Sequence, residues 1–228
     1  MSVHDRAPDG GVTRQERKQR TRQALLDAAL AQLEGQSFSS LSLRQVTRAA
    51  GVVPTAFYRH FEDMQELGLA LIEESFRTLR AMLSQARADP RTYEHMIRNS
   101  VEILAAYVHE HDTHFRFIAR ERYGGVAVLR RAIRSEIRLF ASDLATDLAR
   151  LPYLERWSGE DLQLLAGLMV NAMVATAEAI LDAPQHDPTA EAEIVANARR
   201  QLRMITLGAA QWCSSLEPHA AKRTSSSE

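Results

Sequence analysis

Leu41-Ser42-Leu43-Arg44-Gln45-Val46-Thr47-Arg48-Ala49-Ala50-Gly51-Val52-Val53-Pro54-Thr55-Ala56-Phe57-Tyr58-Arg59-His60-Phe61 is the stretch whose reading decides the fold. Ser42 and Gln45 form a capping box, in which the Ser42 side chain takes the Gln45 backbone N–H and the Gln45 side chain reaches back. Leu43, Val46 and Ala50 then fall on one helical stripe. Gly51 stands where the chain must turn sharply, with apolar Val52 to pin the turn. Pro54 opens a further helix at the position where its missing N–H costs nothing. That helix, 54–61, predicts about two turns, with Phe57 and Phe61 four apart on the inward face. Thr55, Ala56, Tyr58, Arg59 and His60 are left on the other faces.

Two helices joined by a tight turn, the second short and polar outside, have the form of a helix-turn-helix with its recognition helix. On that reading the N-terminal residues of the second helix, Pro54, Thr55 and Ala56, meet base edges. Tyr58 and His60 contact phosphates, and Ser42, Arg44 and Arg59 flank them. The alternative is an exposed connecting helix that touches no nucleic acid. The stretch preceding it speaks to the choice. Between positions 12 and 22, Arg14, Arg17, Lys18, Arg20 and Arg22 face Glu16 alone, a local charge of +4 in a chain whose net charge is −1. Such a cluster, with Arg17 and Arg20 as its phosphate contacts, gives salt-dependent affinity for DNA; otherwise it is a solvated basic arm.

Helical periodicity continues through the chain, and no segment alternates like a half-buried strand. Helices are expected over 13–34, 63–88, 92–110, 113–123, 126–151, 159–183 and 188–216, besides the two of the opening stretch. In the first, Leu25, Leu26, Ala29, Leu30 and Leu33 share a face. Gly35, Asp89-Pro90, Gly124-Gly125, Pro152 and the 183–188 stretch supply breaks. Asp63 with Glu66, Ser158 with Asp161, and Asp187 before Pro188 mark helix starts. The fold class is therefore all-α. A DNA-binding unit over 12–62 and a larger helical unit over 63–216 are expected, between flexible tails 1–11 and 217–228.

With 45% apolar and 25% charged residues, the balance is that of an ordinary globular chain. No run approaches 18 uninterrupted apolar residues, which argues against a membrane span, and the polar start has no apolar segment of a secretory signal. Cys213 is the one cysteine, which excludes an internal disulfide and fits a reducing cytoplasm.

The residues 39–46 followed by 51–61 resemble the signature of TetR-family repressors, over roughly 14–71. The resemblance implies an all-helical homodimer that binds a palindromic double-stranded DNA operator through three N-terminal helices. The C-terminal helices then hold a ligand pocket and the dimer surface. Segments 37–44, 57–61, 66–69, 120–122 and 201–205 further resemble the FabR/DesT group, which regulates unsaturated fatty-acid synthesis and senses long-chain acyl thioesters. That implies no cofactor and an acyl-CoA effector. One departure is clear: where many relatives carry a phosphate-binding lysine just after the recognition helix, this chain has Met64. The basic arm is then expected to supply that grip.

For the ligand half, the helix 63–88 carries Leu69, Ile72, Phe76, Leu79 and Leu83. Later segments offer Ile97, Val101, Leu104, Phe115, Ile118, Met169 and Met173. These fill either a bundle core or the wall of a pocket. The mixture of small residues and methionines over 166–175 favours an adjustable slot. Arg120 and Arg122 suit the phosphates of a CoA head group, or an internal ion pair with Glu121 or a neighbouring helix. Leu162, Leu165, Met169, Met173, Thr176 and Ile180, with Ile194, Ala198, Leu202, Ile205, Ala209 and Trp212, are expected at a four-helix dimer interface. His109, His111 and His114 lie close in sequence without a fourth ligand, so no metal is expected. With no Gly-x-Ser-x-Gly, no phosphate loop and no nucleophile beside a base, no catalytic residues and no enzyme activity are expected. The competing reading keeps the DNA binding but makes the ligand a hydrophobic xenobiotic and the target an efflux or detoxification gene.

Overall fold

A computed structural model describes residues 13–87, 93–184 and 187–212, with side chains at all of these except 78, 81–87, 93–98 and 188. The expectations for both tails, for Asp89-Pro90 and for Cys213 lie outside the described residues, and those for Leu83 and Ile97 fall on side chains outside the described ones.

The described residues form α1 (Arg14–Gln32), a single 3-10 turn (Phe38–Ser40), α2 (Leu43–Ala49), α3 (Pro54–Phe57), α4 (Met64–Arg87), α5 (Tyr93–Glu110), α6 (Asp112–Glu121), α7 (Ala127–Leu148), α8 (Gly159–Asp182) and α9 (Pro188–Ala210), with no strand among them. Local chemistry sets most of the starts. Thr13 caps α1 in a box with Glu16, Ser42 caps α2 with Gln45, Ser158 accepts from the Asp161 N–H, and Asp187 accepts from Thr189 and Ala190. Each satisfies amides that the first helical turn leaves without partners. Gly51, at φ 67°, ends α2. The Val52 N–H bonds the Thr47 carbonyl at 2.9 Å and the Gly51 N–H bonds that of Arg48 at 3.2 Å. This is the paired arrangement a left-handed residue permits after a helix.

The expected two-turn helix over 54–61 is shorter. α3 has four residues, and Tyr58–His60 close as a turn through His60 N–H to Phe57 O at 2.9 Å. The inward pair is as expected: Phe57 and Phe61 are buried with centroids 5.5 Å apart. They join Leu25, Leu26, Ala29, Val46 and Leu67 in one core shared by α1–α4, into which Met64 also packs.

Two side-chain stripes need correction. On α4 the inward residues are Leu67, Leu71, Ile72 and Phe76, whereas Leu69 faces outward. On α8 and α9 the residues expected at a dimer face are mostly internal. Leu162, Leu165, Met169, Thr176, Ile180, Ala198 and Leu202 are buried within this chain. The outward apolar side chains are Leu164 and Leu168 on α8, Met204 and Leu207 on α9, and Trp212 just beyond it. α8 is long and apolar enough to cross a membrane by length and composition, with a mean hydropathy of 1.8. A helix apolar on both sides gives no periodicity from which its inner face could be read.

Gly68 shows why the N-terminal helices sit tightly on the body. A Cβ built there would lie 2.7 Å from Phe38 Cζ and 2.9 Å from Leu129 Cδ2, so the bare backbone of α4 admits both the 3-10 turn and α7. Gly68→Ala gains about 1 kcal/mol of helix propensity. It forces a rigid ring aside at about 1–3 kcal/mol. Urea unfolding of the variant is expected to show a lower midpoint; a higher one would mean that Phe38 yields without strain.

Candidate nucleic-acid interface and effector cavity

At the tip of the N-terminal unit, Pro54, Thr55, Tyr58 and Arg59 are exposed, while Ala56 and His60 are half-buried. Arg44 on α2 and Arg17 and Arg20 on α1 are exposed too, and Ser42 is engaged in its capping box. The basic stretch is not a separate solvated arm: from Arg14 onward it is the opening of α1. It approaches the recognition helix, since the Arg22 guanidinium stacks 5.2 Å from the centre of the Phe61 ring. His60 registers the same proximity. Its pKa is lowered from the usual 6.5, chiefly by burial and further by Lys18, Arg22 and Arg59. Lys18 and Arg22 thus join the positive surface around α3, a contact that only folding creates.

In the body, a cavity of about 180 Å³ opens between α4, α5, α6, α7, α8 and α9. Of the residues expected to meet a ligand, Phe76, Leu79, Leu104, Phe115, Ile118, Arg122, Met169 and Met173 line it. Val101 does not; it is fully buried in the core formed with α8 and α9. The whole contribution of α7 (Ile137, Phe140 and Leu144) was missed, although its apolar spacing of three and four would have shown an inward stripe. Phe140 stands tilted against Phe76 at 5.8 Å. Val174, Ala177 and Leu181 extend the wall along α8.

The two arginines part company. Arg122 is in the wall, bonded through Nη1 to Glu178 Oε1 at 2.9 Å and stacked on Tyr123. These two are the charged side chains of the lining. Arg120 is not in the wall. Its guanidinium donates to the carbonyls of Leu33 and Gln36 at 2.7 Å and of Glu34 at 3.3 Å. It therefore caps the end of α1, where helix carbonyls lack partners, and the expectation of a ligand contact is withdrawn. Glu121 beside it is buried and accepts the Phe38 backbone N–H at 2.9 Å. α6 also reaches the segment just after α1 through Thr113 Oγ1 to Glu34 Oε1 at 3.2 Å. One ten-residue helix therefore holds the α1–α2 connection with one side and walls the cavity with Phe115, Ile118 and Ala119 on the other.

Among the described residues no group of three or more metal-ligating side chains converges. His109 pairs with Glu191 at 3.0 Å, and the rings of His111 and His114 meet edge-on with centroids 6.2 Å apart.

Known structures share this fold. The structure resembles the fatty acid degradation regulator FadR from Bacillus halodurans, with a TM-score of 0.65 at 13% identity over 81% of this chain and 94% of that one. It also resembles FadR from Bacillus subtilis, solved in complex with stearoyl-CoA, with a TM-score of 0.66 at 14% identity over 82% and 98%. SmeT, solved with triclosan, gives a TM-score of 0.63 at 18% identity over 82% and 90%. Identities this low establish a shared fold. Family membership rests on sequence: residues 25–71 match the bacterial regulatory proteins of the tetR family, and residues 93–208 match the tetracyclin repressor-like C-terminal domain. The match to the second covers just over half of the 228 residues, so the chain belongs to the TetR family of DNA-binding transcriptional regulators.

Proposed function

We propose that this protein is a repressor that binds a palindromic operator as a homodimer in the cytoplasm. Its affinity for the operator responds to a long-chain acyl-CoA, and its targets are genes of unsaturated fatty-acid synthesis. Residues 12–62 are assigned to DNA and 63–216 to effector and dimer. The observation that carries the reading is α6, which walls the apolar cavity while Arg120 and Glu121 grip the α1–α2 connection. A ligand shifts an equilibrium only by its differential affinity for the two states. An acyl chain wedged against Phe115 and Ile118 would favour one setting of α6, and therefore one spacing of the two DNA-reading heads. A C2 dimer needs those heads about 34–36 Å apart to enter successive major grooves. The Arg122–Glu178 pair is the charged part of the wall, suited to the thioester end or a CoA phosphate. The stearoyl-CoA held by Bacillus subtilis FadR supports this class of ligand, and the FabR/DesT assignment rests on the sequence resemblance alone.

Operator binding in the presence of oleoyl-CoA and of palmitoyl-CoA tests the reading. A difference of tenfold or more between the two, about 1.4 kcal/mol, is expected; equal DNA affinity ends it. Arg122→Ala is expected to weaken acyl-CoA binding severalfold without altering the ligand-free operator affinity.

A second reading has one observation in its favour. An apolar cavity of about 150 Å³ takes benzene, so the 180 Å³ present here suits a compact hydrophobic molecule directly. A C16 chain requires Met169 and Met173 to move, as flexible thioethers readily do. On that reading the target is an efflux or detoxification gene, and triclosan, the ligand held by SmeT, is the probe.

At the DNA end, Tyr58 and His60 are assigned to phosphates. His60 is kept below its usual pKa of 6.5 by burial and by neighbouring cations, so it is largely neutral at pH 7. A phosphate beside it favours the charged ring, so DNA binding takes up a proton. Operator affinity is therefore expected to rise as pH falls from about 7.5 to about 6. His60→Gln should flatten that slope in fluorescence anisotropy titrations at constant salt. An unchanged slope removes His60 from the phosphate contacts.

A further inference from the structure

Beside the main cavity lies a corner of about 40 Å³. Phe76, Leu79, Phe115 and Ile118 belong to the lining of both, so the corner adjoins the main cavity across these four side chains. The rest of the corner wall is polar or aromatic: Ser75 on α4, His114 on α6 and Tyr107 on α5. Its volume accepts roughly two or three water-sized groups.

The hydrogen bonds determine what this corner offers. Ser75 Oγ donates its one proton to the Leu71 carbonyl at 2.8 Å. Its 2.8 Å contact with His114 Nδ1 must then run the other way, Nδ1–H donating to Oγ. That settles the tautomer, because the neutral ring then carries its proton on Nδ1 and leaves Nε2 as a bare acceptor. Burial is the main cause that lowers the His114 pKa, aided by His111 just before α6, while Glu74 on α4 and Asp27 on α1 act against it.

We propose that the Ser75–His114 corner is a subsite selecting effectors that carry one hydroxyl, alcoholic or phenolic, on an otherwise apolar body. An O–H donates to Nε2, whereas an ether, a carbonyl or a bare methylene leaves that acceptor unpaired. A site built around a hydrogen bond rejects an analogue lacking the donor far more strongly than one extra methylene is rejected. The inference rests on the effector reading above and adds to it the chemistry of the ligand's buried part.

The experiment compares octadecanoyl-CoA with a positional series of monohydroxyoctadecanoyl-CoAs, and triclosan with its O-methyl ether. Direct binding and operator release are both measured. For the wild type, at least one hydroxylated ligand is expected to bind about tenfold tighter than its parent. His114→Phe keeps a ring and removes the acceptor. It should bring the hydroxylated ligand down to the parent's affinity while the parent changes less than twofold. His114→Gln, which keeps an acceptor, should retain part of the preference and serves if the Phe variant fails to fold. If the unhydroxylated parents bind but no hydroxyl is preferred, or the preference survives His114→Phe, the subsite is overturned and the effector reading stands. If no acyl chain and no diaryl ether binds at all, both fall.

Discussion

Leu168→Glu combined with Met204→Glu is expected to give a folded monomer of 25.6 kDa whose operator affinity is lower by at least about a thousandfold. Both side chains point outward, 50% and 73% exposed in the single chain, so neither substitution disturbs the core. Circular dichroism should be unchanged. Leu164 and Leu207, at 56% and 59%, flank them on the same two helices. A monomer rarely leaves large apolar side chains grouped outward on two neighbouring helices, and in the proposed homodimer a second copy related by a two-fold axis covers them. Two carboxylates placed in such an interface are desolvated without a counter-ion, which is costly. The loss at DNA follows from symmetry. A single head reads one half-site, and specific binding typically exceeds the non-specific level by about 10³–10⁷. Analytical ultracentrifugation and operator titration check both parts. A variant that stays dimeric would place the interface on another face.

Ala177→Phe should uncouple the effector without touching the DNA. Ala177 lies in the cavity wall on α8 and is buried at 7% exposure, so a phenyl ring at this position projects into the 180 Å³ of open space. Each methylene of a ligand excluded from the cavity forfeits about 0.8 kcal/mol of burial. Losing three or four of them weakens binding by about a hundredfold. Operator affinity without ligand is expected within twofold of the wild type, and palmitoyl-CoA and oleoyl-CoA should no longer alter it. If the ring does not fit, overpacking costs about 1–3 kcal/mol and appears as a lower thermal midpoint. A variant that still responds fully to acyl-CoA would place the effector elsewhere.

Several features needed no tertiary information because they are local. Ser42 and Gln45 lie three apart, Asp187 precedes Pro188, and Gly51 alone accepts φ 67° at the turn, so α2, α9 and the helix-turn-helix are legible in the chain. Phe57 and Phe61, at one helical spacing on a stretch otherwise polar outside, could hardly face anywhere but inward. Even here the local reading overran, because α3 stops after four residues and the last turn closes with tighter hydrogen bonds.

By itself, then, the sequence determined an all-α chain, its DNA-reading end and eight of the residues around its cavity. Folding decided the side on which each apolar stripe falls and the partner of each charge. Met169 and Leu165 proved internal, and Leu168 and Met204 external, because α8 is apolar on both sides and periodicity cannot choose between them. Arg120 and Glu121 were beyond sequence reading for another reason. Their partners, Leu33 and Phe38, lie 87 and 83 residues away. Only packing brings those backbone groups within reach, and it thereby turns an arginine expected at a ligand into a clasp on the DNA-binding unit.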